Sequence, residues 1–474
     1  MQQHIVVIGG GPGGYVAAVR AAQQGARVSI VERDNVGGTC LNWGCIPSKI
    51  LKETADRLMD AGRWSDFGVD LDGAPRLNLP ALNDRKARVI DAQRKGVAHL
   101  LARHKITCIA GTARIDGPGR VVVSPAEGEP MTLAWDRLIL ATGSVPTPLP
   151  GTPFDGERVW SSDHALYRER LPASLVIIGG GVIGCEFAAI YHAFGVAVTV
   201  VEALDRLLPL PSVDAGISKV LAREMKKKKI PFYVNRVVTD VHQSAAGLDI
   251  RLGPSPASGE PSAAAIDLSA EAVLVCIGRR AGTGGLGLES IGVAVDARGW
   301  IVADAAMRTT ADGVFAIGDV LGPQRVMLAH VASAEGMVAA ENATGGDRVL
   351  DYTAVPGAIF TSPEVATVGL TEAQAMAEGI DCRADTVQFR TIGKAQVIDE
   401  IAGEVKMISH RGTGKILGVH MIGPHVTDLI AEATLAVRTG CTTSDLVNTI
   451  HAHPTLAEIM LETGYKAVDQ SLHG

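Results

Sequence analysis

Cys40 and Cys45 enclose four residues in the stretch Gly37 to Lys49, GGTCLNWGCIPSK, and Pro47 is placed to open a helix just beyond them. Two thiols this close can act as a structural staple, as half of a metal site, or as a couple that cycles between dithiol and disulfide. A staple around so short a loop removes little entropy from the unfolded chain. A metal site needs two more ligands; His451 and His453 could supply them, but two widely separated half-motifs form a weak zinc signature. A redox couple gains from a helix N-terminus and a nearby cation, both of which stabilise thiolate. Lys49, four residues after Cys45, puts a cation on the same helical face. The redox reading is favoured, with the staple and metal readings still open on spacing alone.

Such a couple needs somewhere to pass its electrons. Gly9-x-Gly11-x-x-Gly14 lies between an apolar run and a helix pattern, and Glu32 closes the next apolar run 23 residues after Gly9. Gly179-x-Gly181-x-x-Gly184 repeats the arrangement, with Glu202 again 23 residues on. Glycines at these positions let the backbone approach a pyrophosphate at a helix N-terminus, and the carboxylate accepts from a ribose hydroxyl. A lone GxGxxG is weak evidence, since a tight turn without a ligand has the same spelling; two copies in full context are not. Glu202 favours a free 2′-hydroxyl and hence NAD, with Arg206 four residues later as the one feature in favour of NADP.

The elements that must carry these residues follow from the same pattern. Residues 5–33 and 175–203 each read as strand, glycine turn, helix, second glycine and strand, the grammar of a βαβ unit. Val145-Pro-Thr-Pro-Leu-Pro-Gly is a linker candidate because its prolines preclude a helix. Residues 253–265, GPSPASGEPSAAA, read as a flexible loop, and the strand-like AVLVCIG from Ala272 opens a new section running to Gly346. Farther on, strands near 404–410 and 415–422 joined by Arg411-Gly-Thr-Gly suggest a hairpin, with amphipathic helices near 426–438 and 455–468. The expected fold is α/β: two Rossmann-like dinucleotide-binding domains plus a C-terminal α+β domain. Its expected divisions are 1–147, 148–271, 272–346 and 347–474.

At 474 residues the chain is long enough for about three domains. A net charge of −7 argues against a nucleic-acid partner, and the basic run Lys226 to Lys229 reads as a solvated helix end. No apolar run approaches the roughly 20 residues needed to span a bilayer, and residues 1–8 lack the charged and apolar regions of a secretory signal. Seven scattered cysteines do not make a disulfide scaffold, so a reducing, cytoplasmic setting is expected.

With these residues in hand, the chain resembles the flavin-dependent disulfide reductases, and among them the dihydrolipoamide dehydrogenases. The resemblance runs over essentially the whole length and rests on GGTCLNWGCIPSK, LATGS at 140–144, TTADGVFAIGD at 309–319, MLAH at 327–330 and HAHPTLAE at 451–458. It implies a redox-active Cys40–Cys45 disulfide, with Cys40 meeting substrate and Cys45 meeting the flavin. It implies FAD on Gly9, Gly11, Gly14 and Glu32, with Thr39, Lys49, Ala113, Thr142, Gly143, Ser144, Asp319 and Ala329 lining the rest. NAD is implied on Gly179, Gly181, Gly184 and Glu202, near Val237 and Gly278. Glu186 matches the glutamate that pairs with the lysine at Lys49, and His453 and Glu458 match the catalytic His–Glu pair, with Pro454 in the first turn of the helix that follows. His451 is assigned only a supporting role.

Family members are homodimers in which this histidine serves the partner's disulfide, and they work on a lipoyl-bearing acyltransferase subunit or lipoyl carrier protein. The implied domains are FAD-binding at 1–147 and 272–346, NAD-binding at 148–271 and a dimerisation domain at 347–474. Trp43 stands where relatives often have a smaller residue, and Gln324-Arg325-Val326 and Val331, flanking MLAH, replace more usual residues. Glutathione reductases are the nearest rival reading; they use NADP and place arginines where this sequence has Ala203 and Pro209. Mercuric reductases carry a C-terminal cysteine pair where this sequence ends SLHG, and the transhydrogenases lack the pair that Cys40 and Cys45 provide. A catalytically silent assembly subunit is the rival of another class, and it has no need of Cys40, Cys45, Lys49 or His453.

Overall fold

The computed structural model describes residues 2–244, 247–259 and 264–473. The loop expected over 253–265 therefore falls partly outside the described residues. The run His4–Ile8 is β-branched or apolar after its first residue and is buried throughout, as the middle strand of a parallel sheet must be. It pairs in parallel with Arg27–Glu32 on one side and Arg137–Leu140 on the other; Thr107–Ala110 and Val314–Ala316 complete five strands. The helix Pro12–Gln23 packs against Ala329–Ala343, and Gly336 permits the approach: a Cβ there would stand 2.5 Å from the Gly13 carbonyl oxygen.

The second unit repeats the plan. Ser174–Ile178 pairs in parallel with Ala197–Val201 and with Ala272–Val275, flanked by Phe232–Tyr233 and Val159–Trp160. This corrects one expectation. Ala272–Val275 does not open the section after residue 271 but lies inside the second sheet, where all four of its residues are buried. Its partner is about a hundred positions upstream, a pairing that no local pattern announces. An antiparallel three-stranded layer, Arg236–Ser244, Gly247–Pro254 and Ile266–Ala270, packs on the same sheet.

The last section is an antiparallel sheet in the order Gly357–Ile359, Glu364–Gly369, Ile416–Gly423, Glu404–His410, Cys382–Gln388. The expected hairpin is the pair Glu404–His410 and Ile416–Gly423. Helices Val426–Thr439 and Glu458–Ala467 cover the sheet with Ile430, Ala433, Ile459 and Met460 in its core. The mixed α/β architecture is thus present as read from the sequence. Pro454 lies ahead of the last helix, which begins at Glu458, and not in its first turn. No helix among the described residues is long and apolar enough to cross a membrane.

Candidate active site

Gly37, at φ +95°, turns the chain into the short helix Gly38–Trp43, which carries Thr39 and Cys40. Gly44 separates it from the helix Cys45–Ala61, so that Cys45 is the first residue of a seventeen-residue helix and Pro47 falls in its first turn. Cys40 and Cys45 thus lie on either side of the break between the two helices. They interact with each other, and the interaction is unequal. The contact with Cys45, then burial, push the Cys40 thiol up. The contact with Cys40 brings Cys45 down to about 7, helped by Lys49 and opposed by burial and by Glu186. A thiol lowered this far is about half thiolate near neutrality. Alkylation of the reduced protein by iodoacetamide should therefore reach half its maximal rate near pH 7; a midpoint near that of a free cysteine would remove the distinction between the two sulfurs.

One turn after Cys45, Lys49 Nζ donates to both oxygens of Glu186, at 2.8 and 3.0 Å. Glu186 stands on the second glycine helix, Val182–Ala193, and is buried. The backbone N–H of Phe360 also donates to it, at 2.9 Å, and Lys49 Nζ lies 4.3 Å from the centroid of the Phe360 ring. Three sections of the chain thus meet beside Cys45, on a lysine, a glutamate and a phenylalanine.

The two glycine turns are built alike. At Gly9, φ +104°, a Cβ would come 2.2 Å from the Ala141 carbonyl oxygen; at Gly179, φ +111°, it would come 2.3 Å from that of Cys276. Gly14 and Gly184 pack so closely on these turns that a Cβ would come within 2 Å of the Gly9 and Gly179 oxygens, while Gly181 faces open space. Glu32 accepts from the N–H groups of Gly10 at 2.6 Å and Asp34 at 2.8 Å. Glu202 does the same for Gly180 at 2.6 Å and Leu204 at 2.8 Å. Each carboxylate therefore locks its own glycine turn, a task that sequence reading had not given it. Arg206 donates to the Leu210 carbonyl at 3.2 Å.

Around the first turn, Thr142 Oγ1 is buried with no partner among the described residues. Ser144 Oγ donates to Asp319 Oδ2 at 2.6 Å, and Arg279 donates to Ser144 Oγ at 2.6 Å and to its carbonyl at 2.8 Å. Arg279 escaped sequence reading because a lone arginine past a strand has no spacing signature. Ala113 is buried on the strand Thr112–Ile115, and Ala329 begins the helix that packs on the first glycine helix. Gly143 and Gly278 both take positive φ with open space where a Cβ would point; Val237 sits on the strand Arg236–Ser244. An orphaned buried hydroxyl, a glycine cradle at a helix N-terminus and an aspartate held by Ser144 and Arg279 fit a dinucleotide lying across this sheet.

At the far end of the chain His453 Nδ1 and Glu458 Oε1 are 2.8 Å apart, and the Thr455 N–H donates to Glu458 Oε2 at 2.9 Å. Burial pushes the Glu458 carboxyl up, but the Thr455 N–H and the His453 ring more than offset it and hold it below its ordinary value. The His453 side chain is 77% exposed, with its Nδ1 edge on Glu458. Among the described residues no hydrogen bond or ion pair joins it to Cys40 or Cys45. His451 is buried between the Thr449 carbonyl and Glu432, each at 2.9 Å. Among the described residues no group of three or more His, Cys, Asp or Glu side chains is placed to hold a metal ion.

Comparison with known proteins agrees with this geometry. Residues 3–336 match the pyridine nucleotide-disulphide oxidoreductase model, and residues 355–463 match the pyridine nucleotide-disulphide oxidoreductase dimerisation domain. The chain is 42% identical to a dihydrolipoyl dehydrogenase of Bacillus subtilis, covering 99% of this chain and 98% of that protein. It is 41% identical to one of Chlamydia trachomatis, covering 99% and 97%. Among solved structures, LpdA of Mycobacterium tuberculosis superposes with a TM-score of 0.88 at 28% identity, over 98% of this chain and 99% of that one. The HOCl-induced flavoprotein disulfide reductase RclA of Escherichia coli, as its Cu(II) complex, superposes with a TM-score of 0.85 at 26% identity, again over 98% and 99%. With both family models matched along nearly its whole length, the chain belongs to the pyridine nucleotide-disulphide oxidoreductase family.

Proposed function

We propose that this chain is an enzyme that oxidises dihydrolipoamide to lipoamide and reduces NAD+, working through Cys40 and Cys45. The observation that carries the reading is the junction beside the pair: Lys49, one turn after Cys45, is held by both oxygens of Glu186 at 2.8 and 3.0 Å, so Cys45 stands next to a fixed cation. A cation at this sulfur favours its thiolate, the form that exchanges with disulfides. FAD, when bound, supplies a two-electron carrier between the cysteine pair and NAD+. Gly9, Gly11, Gly14 and Glu32 would hold its adenosine half, with Thr39, Lys49, Ala113, Thr142, Gly143, Ser144, Asp319 and Ala329 along the remainder. Lys49, fixed by Glu186, holds positive charge beside Cys45 and keeps it as thiolate. Cys40 is the interchange thiol that exchanges with substrate sulfur. His453, oriented through Nδ1 by Glu458, takes the substrate's proton at Nε2.

His453 is exposed and makes no hydrogen bond to its own cysteines among the described residues, and it serves those of a second copy, in a homodimer built on residues 355–463. The substrate group arrives on a lipoyl-bearing acyltransferase subunit or lipoyl carrier protein. NAD+ takes the second glycine turn, on Gly179, Gly181, Gly184 and Glu202, near Val237 and Gly278. Glu202→Ala removes the acceptor from both the Gly180 and Leu204 N–H groups, so the KM for NAD+ should rise about tenfold or more. An unchanged KM would move the nucleotide elsewhere. The reading as a whole is tested by NADH oxidation with lipoamide and with glutathione disulfide, each repeated with NADPH. Turnover of lipoamide with NADH is expected; turnover confined to glutathione disulfide with NADPH would replace it with the reductase reading.

A further inference from the structure

Lys86, on the helix Leu79–Arg103, is a buried cation that the chemistry above does not use: its side chain is fully enclosed at 1% exposure. Its Nζ donates to the Leu166 carbonyl and, at 2.9 Å, to Asn83 Oδ1, and it lies 4.4 Å from the centroid of the Tyr167 ring. No carboxylate pairs with it among the described residues, and burial pushes its ammonium down to about 8. An ammonium enclosed in this way is costly to keep, and only its full set of partners makes it tolerable.

The Tyr167 ring it supports leads directly to the cysteines. The Tyr167 hydroxyl donates to the Asn42 carbonyl at 2.5 Å, and its ring meets that of Trp43 edge-on, centroids 5.3 Å apart. Asn42 lies midway between Cys40 and Cys45 and is itself buried. Its side-chain amide donates to the carbonyls of Asn35, Val36 and Gly38, and its Oδ1 accepts from Arg94 Nε at 2.5 Å. The turn is therefore pinned from inside by the Asn42 side chain and from outside by one hydroxyl on its main chain. Trp43 makes the outer contact an aromatic one.

We propose that Tyr167, seated on Lys86, is a positioning residue for the redox pair: its hydroxyl fixes the Asn42 carbonyl and thereby the chain that sets Cys40 and Cys45 relative to each other. Dithiol and disulfide need different separations of the two sulfurs, so a bond to the chain between them acts on the equilibrium. Reduction breaks one S–S bond and takes up two electrons, with one proton to Cys40 and a second only where Cys45 is protonated; Tyr167 supplies none of these and only holds the chain. The inference rests on the redox reading of the pair, and the test separates the two.

The decisive variant is Tyr167→Phe, which keeps the ring, the Trp43 contact and the Lys86 seat and deletes one donor. In the flavin-loaded dimer the pair is titrated in a dithiothreitol redox buffer and read by thiol alkylation. Loss of the hydrogen bond should shift the equilibrium about tenfold, about 30 mV for a two-electron couple. NADH oxidation by ferricyanide, an acceptor that does not need the cysteines, should stay at the wild-type rate. Lys86→Met should move the potential in the same direction. An unmoved potential in Tyr167→Phe overturns the proposal, as does an equal loss of the ferricyanide reaction, which would mark general damage. Should Lys86→Met not fold, Tyr167→Phe still decides. A wild-type pair that does not titrate at all would instead sink the redox reading of Cys40 and Cys45, and a pair that titrates without lipoamide turnover would sink only the substrate.

Discussion

Cys45→Ser should abolish dihydrolipoamide oxidation, with a loss on the order of 10³-fold or more, while flavin stays bound. The argument is one of position. Cys45 is the sulfur at the helix start, one turn from Lys49, and the one whose thiol is brought down to about 7. A serine hydroxyl in its place neither ionises near neutrality nor exchanges with a disulfide. Cys40 keeps its place on the preceding helix, but without a Cys40–Cys45 disulfide a dihydrolipoamide thiolate has no S–S bond to break and nothing to take its electrons. Offered lipoamide instead, the Cys40 thiolate can open the substrate's own disulfide, and the resulting mixed disulfide, with no Cys45 to resolve it, should be visible by mass spectrometry under non-reducing conditions. Retained turnover in a flavin-loaded preparation would end the proposal that electrons pass through this pair.

The second large effect is expected at His453. His453→Ala should lower dihydrolipoamide oxidation by about 10²- to 10⁴-fold, the range of a lost general base. Reduction of the flavin-loaded enzyme by NADH should proceed as before. The ring is fixed at Nδ1 by Glu458, whose carboxyl the Thr455 N–H and His453 together hold ionised below its usual range despite partial burial. Charge on Glu458 is gained above its lowered value and lost only as pH falls through it, so orientation of the ring survives well into acid. A heterodimer carrying His453→Ala in one copy and Cys45→Ser in the other checks the assignment across copies. If the histidine serves the partner, one site loses both functions and the other keeps both, leaving about half the activity. An inactive mixed dimer would place histidine and cysteine in the same chain.

Much of this was legible before any coordinates, for a physical reason that also marks the limits. Glycine turns, the cysteine spacing and the acidic strand ends are local patterns, each set by what the backbone can do within a few dozen residues. The two glycine turns and the Cys45 helix accordingly stand where the spacing puts them. What spacing does not contain is pairing across the chain. Ala272–Val275 was assigned to the wrong side of a boundary because its partner, Ser174–Ile178, is far upstream. Arg279 on Asp319 and Ser144, Tyr167 on Asn42, and Phe360 on Glu186 are contacts between residues with no shared motif. The double duty of Glu32 and Glu202 was hidden for another reason, since a carboxylate that binds its own turn is spelled like one that waits for a ribose.

The Phe360 contact has a consequence for how the chain comes into being. The main-chain donor that completes the Glu186 carboxylate is 174 positions beyond it, and Lys49 itself is 137 positions before it. A ribosome therefore finishes the second nucleotide-binding sheet, which closes with Ala272–Val275, well before Phe360 is made, and the first, completed by Val314–Ala316, shortly before it. Until the final section has docked, the lysine and glutamate that tune Cys45 lack their third partner. The surroundings of Cys45 are therefore completed last, by the section of the chain that is made last.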